Sequence, residues 1–309
     1  MTAPKPSGQN RAVGDFVLPL ALKPGDRIRL IAPASPFDRA LFFRGAGFLA
    51  ERYRVELGRN VLARRGFLAG SDEERLADLN AALEDPNVKA IVAARGGYGA
   101  GRIVHRANWE ALRDTPKWLV GFSDVTLLHQ EAQRIGLCSL HAENAAGLGR
   151  GAARMRERWV HALENPLSHR NFTGLRCVWP GSAEGPLVGG NLTMLFTAQA
   201  SGRLYVPPGA LLALEDVTES SYRVDRMLTA LLQSGAFSGL GGVLLGDFTD
   251  CPAGPHGVPV EAVLEERLST LAIPIVAGLP FGHGEHNEPL YLGRRAYIDA
   301  DRGSFSIGD

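Results

Sequence analysis

Short apolar runs and amphipathic stretches alternate along this chain. Arg27-Ile28-Arg29-Leu30-Ile31-Ala32 reads as a buried strand that Pro33-Ala34-Ser35-Pro36 ends. Over residues 38–53, Leu41, Phe42, Ala46 and Leu49 share one helical face, while Gly45 and Gly47 weaken the pattern. A weaker strand follows at Arg59-Asn60-Val61-Leu62. Ser71-Asp72-Glu73-Glu74 opens a helix with a capping pattern; Leu76, Leu79 and Leu83 are its apolar face, and Asp85-Pro86 stops it. Residues 88–94 are short, apolar and partly β-branched, hence a strand. The glycine-rich run Arg95-Gly96-Gly97-Tyr98-Gly99-Ala100-Gly101 follows, then a helical stretch to about Leu112. Trp118-Leu119-Val120-Gly121-Phe122 is a further strand, with Ser123 and a helical pattern over 124–134 directly behind it. Cys138-Ser139-Leu140-His141 and a helix over 153–164 complete the first half.

Residues 166–184 change character: Pro166, Gly174, Pro180 and Gly181 interrupt any long pattern, as expected of a crossing between domains. Alternation then resumes. Strands are expected at 210–214 and 242–246, helices at 193–199, 222–232 and 260–271, and a hairpin at the sheet edge over 296–299 and 304–307. Strands alternating with helices predict an α/β protein with a parallel sheet covered on both faces. The expected division is 15–165 for an N-terminal domain, 166–184 for a linker and 185–309 for a C-terminal α/β domain.

The length of 309 residues agrees with two domains. Equal numbers of basic and acidic side chains, 33 each, give no net charge to draw nucleic acid or an anionic membrane. No apolar run is long enough to span a bilayer. Residues 1–14 lack the apolar core of a secretory signal and read as a disordered tail. Cys138, Cys177 and Cys251 are far apart and odd in number, which suggests a reduced, cytoplasmic setting.

Candidate chemistry gathers at the predicted strand ends, where open α/β sheets bind ligands. Ser123 is either a helix cap or a nucleophile. The 96–101 loop departs from G-x-G-x-x-G and has no Walker lysine, but its bare backbone N–H groups suit an anion or oxyanion. Glu215 ends an apolar run and could orient a base or pair with Arg223 or Arg226. His283 and His286 could share a metal, yet H-E-x-x-H is absent and glycines flank His283. Serine, carboxylate and imidazole at three strand ends suggest a triad, although the G-x-S-x-G elbow is missing.

Taken as an ordered set, several motifs resemble one family. They are Gly121-Phe122-Ser123-Asp124-Val125-Thr126, Arg95-Gly96-Gly97-Tyr98-Gly99, Gly189-Gly190-Asn191-Leu192, Leu214-Glu215-Asp216 with Tyr222-Arg223-Val224-Asp225-Arg226-Met227-Leu228, and Gly282-His283 with Asn287. Together they are similar to the LD-carboxypeptidases, the muramoyl-tetrapeptide carboxypeptidases whose relatives include microcin C immunity hydrolases. The resemblance implies a flavodoxin-like N-terminal sheet, a C-terminal α/β domain and a site in the cleft between them. It implies Ser123 as nucleophile, His283 as base, Glu215 as orienter, and backbone N–H groups of Gly97 and Asp124 as oxyanion hole. It implies no metal and no cofactor, a small peptide substrate and a homodimer. Arg95, Tyr98, Asn191 and Arg223, with Arg102, are the candidates for binding substrate. One departure stands out: members often carry His-Gly-Pro where this chain has His141-Ala142-Glu143-Asn144. The alternatives are an immunity hydrolase acting on an aminoacyl-nucleotide analogue, or a non-catalytic binder that uses the 96–101 loop.

Overall fold

The computed structural model describes residues 12–13 and 16–308. Most of the stretch read as a tail therefore lies outside the described residues. Its end does not stay free: β1 (Ala12–Val13) pairs antiparallel with β2 (Phe16–Val17).

The first half forms β3 (Arg27–Ile31), α1 (Arg39–Ala50), β4 (Arg54–Leu57), α2 (Asp72–Glu84), β5 (Val88–Ala93), α3 (Ala111–Asp114), β6 (Trp118–Gly121), α4 (Thr126–Arg134), β7 (Ser139–His141), α5 (Ala145–Leu148) and α6 (Ala153–Glu164). The capping box of α2 is present in full: Ser71 Oγ accepts from Glu74 N, and the Glu74 carboxylate accepts from Ser71 N. Gly45 of α1 is needed for packing, because a Cβ there would overlap the Ala145 carbonyl of α5. Residues 59–62 are not a strand. Asn60 turns instead to the buried Asp78 carboxylate, to which its backbone N–H and side-chain amide both donate. The second strand is β4, a few residues earlier. The helical stretch expected after the glycine loop is two 3-10 turns, Ala100–Arg102 and Val104–Arg106, followed by the short α3.

β7, β6, β5, β3 and β4 are parallel neighbours in that order. Counted along the chain from β3, this is the 2-1-3-4-5 order of the flavodoxin-like fold, whose switch point lies between β3 and β5.

The second half forms β8 (Arg170–Thr173), β9 (Arg176–Trp179), β10 (Ser182–Asn191), α7 (Leu192–Ala200), β11 (Leu211–Val217), α8 (Ser221–Gln233), β12 (Gly242–Thr249), α9 (Val260–Ser269), β13 (Ile275–Ala277), β14 (Leu290–Leu292), β15 (Arg295–Asp299) and β16 (Ser304–Ile307). Its eight-stranded sheet runs β8-β16-β15-β10-β11-β12-β13-β9, with β10 to β13 parallel. The stretch 166–184 is thus no bare linker: β8 and β9 are the two edges of this sheet. The β15–β16 hairpin lies inside the sheet, covered by β8, and not at its edge. β14 leaves the second sheet altogether and pairs antiparallel with β7 of the first, tying the halves together.

α4 lies in the seam. Residues 126–133 are all buried, polar ones included, so each polar side chain needs a partner. Thr126 Oγ1 accepts from Asn191 N at 3.1 Å, Gln130 Oε1 accepts from Tyr205 N at 2.7 Å, and the Glu131 carboxylate takes two bonds from Arg203, each 2.6 Å. The helix behind the candidate nucleophile is thereby locked to the C-terminal half.

Candidate active site

β6 ends at Gly121, Phe122 is extended, and Ser123 takes φ 66°, in the left-handed region. For a residue with a Cβ this conformation costs about 1–2 kcal/mol. A strained serine between a strand and a helix is the geometry of a nucleophile elbow, reached here without the G-x-S-x-G sequence. The reading of Ser123 as a cap is corrected: neither the 3-10 turn Ser123–Val125 nor α4 has a side-chain cap bond. Among the described residues the Ser123 hydroxyl bonds to nothing, which leaves it available to react.

The strand end before Ser123 is fixed by His129, fully buried on α4. Its Nε2 lies 2.9 Å from Gly121 O, and its Nδ1 lies 2.9 Å from Ser139 Oγ. A carbonyl only accepts, so Nε2 carries the proton and Nδ1 accepts from the serine. Burial pushes its pKa down to about 4, opposed by the Gly121 bond.

The glycine loop is held from two sides. Ser35, just past β3, accepts from Tyr98 N at 3.0 Å and donates to Tyr98 O at 3.3 Å. The buried Asp124 carboxylate accepts from Ala100 N at 2.8 Å. Burial raises Asp124 to about 6, against the pull of that bond and of Arg75. Asp124 therefore holds the glycine loop through its carboxylate.

Glu215 sits where β11 bulges against β12, between Leu214 and Asp216, an irregularity that re-aims a side chain. It is wholly buried, and Oε2 accepts from His283 Nδ1 at 2.7 Å. With Nδ1 donating, Nε2 is the nitrogen left to act as a base. Gly282 permits the approach, since a Cβ there would stand 2.8 Å from Glu215 Cβ. Asn287 fixes the same turn by accepting from Gly282 N at 3.1 Å. Burial pushes His283 down, but the Glu215 hydrogen bond and charge, then Asp216 and Glu143, outweigh it and leave the imidazole above its ordinary value. Burial raises Glu215, with His283 pulling it back. The Phe122 ring lies 4.8 Å from the His283 ring, so the serine turn and the histidine loop face each other.

Two family models match the chain, the LD-carboxypeptidase N-terminal domain over residues 28–142 and the LD-carboxypeptidase C-terminal domain over residues 184–298. A murein tetrapeptide carboxypeptidase of Pseudomonas aeruginosa is 35% identical over 89% of this chain and 94% of its own length. This chain belongs to the LD-carboxypeptidase family. A crystal structure of muramoyltetrapeptide carboxypeptidase from Oxalobacter formigenes superposes with TM-score 0.82 at 30% identity, over 92% of this chain and 99% of that one. MccF in complex with glutamyl sulfamoyl guanosine superposes with TM-score 0.85 at 22% identity, over 94% and 98%, a likeness of fold. As a member of this family the chain is a peptidase.

The other residues singled out in the sequence fall into two groups. Arg95 and Tyr98 are exposed on the glycine loop; Arg95 donates to Pro36 O at 2.9 Å and has no acidic partner among the described residues. The Tyr98 ring lies 5.6 Å from that of exposed Phe67. Asn191 is buried and spent on structure: it caps α7 by accepting from Met194 N and donates to Asp216 Oδ1 at 2.9 Å. Arg102 is paired with Asp72 at 2.9 Å, and Arg223 faces Glu219 at 3.6 Å and the Tyr222 ring at 5.9 Å. Ser35, His129 and Asn287's turn were not assigned roles from the sequence; polar residues just past strands were the only available signal.

Proposed function

We propose that this protein is a serine LD-carboxypeptidase that hydrolyses the amide between the L-centre of a diamino acid and a terminal D-alanine in murein tetrapeptides. The observation that carries this reading is the 2.7 Å bond from His283 to the buried Glu215 on a loop facing the strained turn of Ser123. His283 Nε2 removes the Ser123 proton as Oγ attacks the carbonyl carbon. The oxyanion is held by the N–H groups of Gly97 and Asp124, neither of which donates to an acceptor among the described residues; one such donor is worth roughly 3–4 kcal/mol. His283 then gives its proton to the leaving amine, D-alanine departs, and water attacks the acyl-enzyme by the same route. Arg95 is the candidate for the terminal carboxylate, with Tyr98 beside it. The reading needs no metal or cofactor. It goes with a cytoplasmic homodimer and with two units, 15–165 and 185–309.

The second reading is hydrolysis of an aminoacyl-nucleotide analogue, favoured by the exposed Phe67–Tyr98 ring pair, on which a base could stack. Rates measured side by side on L-Ala-γ-D-Glu-diaminopimelate-D-Ala and on glutamyl sulfamoyl adenosine decide between them. The account expects the higher kcat/KM for the peptide; the reverse order overturns it in favour of the second reading.

A further inference from the structure

Glu215 can orient His283 only if its side chain leaves β11 in one fixed direction, and the backbone there is irregular. The pairing of β11 with β12 slips between Leu214 and Asp216. On the other side Asn191, the last residue of β10, pairs with Glu215. The next residue, Asp216, is buried as well, and a buried carboxylate needs donors.

Four donors meet it. Oδ1 accepts from Asn191 Nδ2 at 2.9 Å and from Val217 N at 2.8 Å. Oδ2 accepts from Thr193 N at 2.9 Å and from Thr193 Oγ1 at 2.7 Å. Asn191 is the N-cap of α7 and Thr193 lies in its first turn, so the carboxylate meets the positive end of that helix. One side chain therefore pins the end of β10, the start of α7 and the irregular step of β11 to each other.

The same junction reaches the nucleophile. Asn191 N donates at 3.1 Å to the hydroxyl of Thr126, which opens α4 just behind Ser123 and is wholly buried. Gly190 lets the two segments meet, because a Cβ there would stand 2.7 Å from that hydroxyl. Hydrogen bonds thus run from the helix behind Ser123 through Asn191 to Asp216, whose chain neighbour Glu215 holds His283. Ser123 and Glu215 come from different halves of the chain and share this junction.

We propose that Asp216 is a positioning residue for the reaction: through its four bonds it aims Glu215 at His283 and sets that pair against the Ser123 turn. The inference rests on the triad reading above and adds the group that holds the triad together across the seam.

The test is a double-mutant cycle of Asp216→Asn and Glu215→Gln, followed as alanine release from L-Ala-γ-D-Glu-diaminopimelate-D-Ala. Rates are taken on the pH plateau of each variant, because Asp216 is also one of the charges that raise His283. An amide at position 216 sets its own N–H groups against one pair of donors, which loosens the junction at nearly constant volume. A misplacement of about 1 Å costs roughly a hundredfold, so kcat of Asp216→Asn should fall by about that factor with KM little changed. In the Glu215→Gln background the same substitution should cost less than about threefold more, because residues that act as a unit are not additive. Thr193→Val removes one bond and keeps the backbone donor; it should show the same pattern at about tenfold, and it decides the matter if Asp216→Asn does not fold. An unchanged kcat, or a loss that multiplies in full in both backgrounds, overturns this inference alone and leaves Asp216 a helix cap. A Glu215→Gln enzyme as fast as the wild type, or a wild type that releases no alanine, overturns the reading beneath it and this inference with it.

Discussion

Gly96 stands directly behind Ser123: a Cβ on Gly96 would lie 2.7 Å from Ser123 Cβ and 2.9 Å from its Oγ. The glycine loop and the serine turn are therefore fitted to one another. Gly96→Ala must displace the serine or the loop. A shift of about 1 Å at a reacting group costs roughly a hundredfold. Steady-state kinetics of Gly96→Ala should show kcat/KM reduced by about that factor, with the loss mostly in kcat.

Ser123 carries its strain in φ, and two substitutions separate strain from chemistry. Ser123→Ala and Ser123→Gly should both abolish turnover. Only glycine accepts φ 66° freely. By urea unfolding Ser123→Gly should be about 1 kcal/mol more stable than Ser123→Ala. Equal stability would remove the strained-elbow description while leaving the chemistry intact.

His283 must be neutral to accept a proton, and its pKa lies above the ordinary imidazole value of 6.5. The acid limb of kcat/KM against pH should therefore fall above 6.5, activity being lost as pH drops through it. In Glu215→Gln the charge that lifts His283 is gone and burial pulls the pKa down, so the limb should move to lower pH. The same variant should lose roughly a thousandfold or more in kcat, because the imidazole also loses its orienting partner.

How much of this was readable from residues alone differs from element to element. The α2 capping box was legible because it is local: donor and acceptor lie within one turn. The strand end before Ser123 was legible because parallel strands are apolar runs with abrupt ends, whereas Glu215 lies inside β11 at its bulge and His283 on the loop well past β13. The resemblance supplied the roles. What escaped depends on distant parts of the chain. α4 looks amphipathic, yet Gln130 and Glu131 are buried because Tyr205 and Arg203 come from the other half to meet them. The bonds by which Asn191 caps α7 and reaches Asp216 were not readable, because Asp216 comes from a neighbouring strand. Residues 166–184 carry proline and glycine like a linker, yet Pro166, Gly174, Pro180 and Gly181 only flank β8 and β9, which pair at the two edges of the second sheet through partners distant in sequence. The φ of Ser123 has no local signature at all.

The seam offers a stability test. Arg203→Ala leaves Glu131 buried, with only Arg134 at 3.6 Å to compensate among the described residues. Breaking a buried pair costs about 3–5 kcal/mol, less where a second cation remains. Denaturant unfolding should show a loss of about 2 kcal/mol or more. Because α4 leads from Ser123, kcat should fall as well. A variant as stable as the wild type would show that the pair contributes nothing to joining the halves.

The central claim is that Ser123, His283 and Glu215 release D-alanine from a murein tetrapeptide. Its most direct test is mass detection of alanine after incubation with L-Ala-γ-D-Glu-diaminopimelate-D-Ala, wild type beside Ser123→Ala. The account predicts one alanine per peptide from the wild type and none above background from the variant. Alanine released by a folded Ser123→Ala, or none from the wild type, would contradict it.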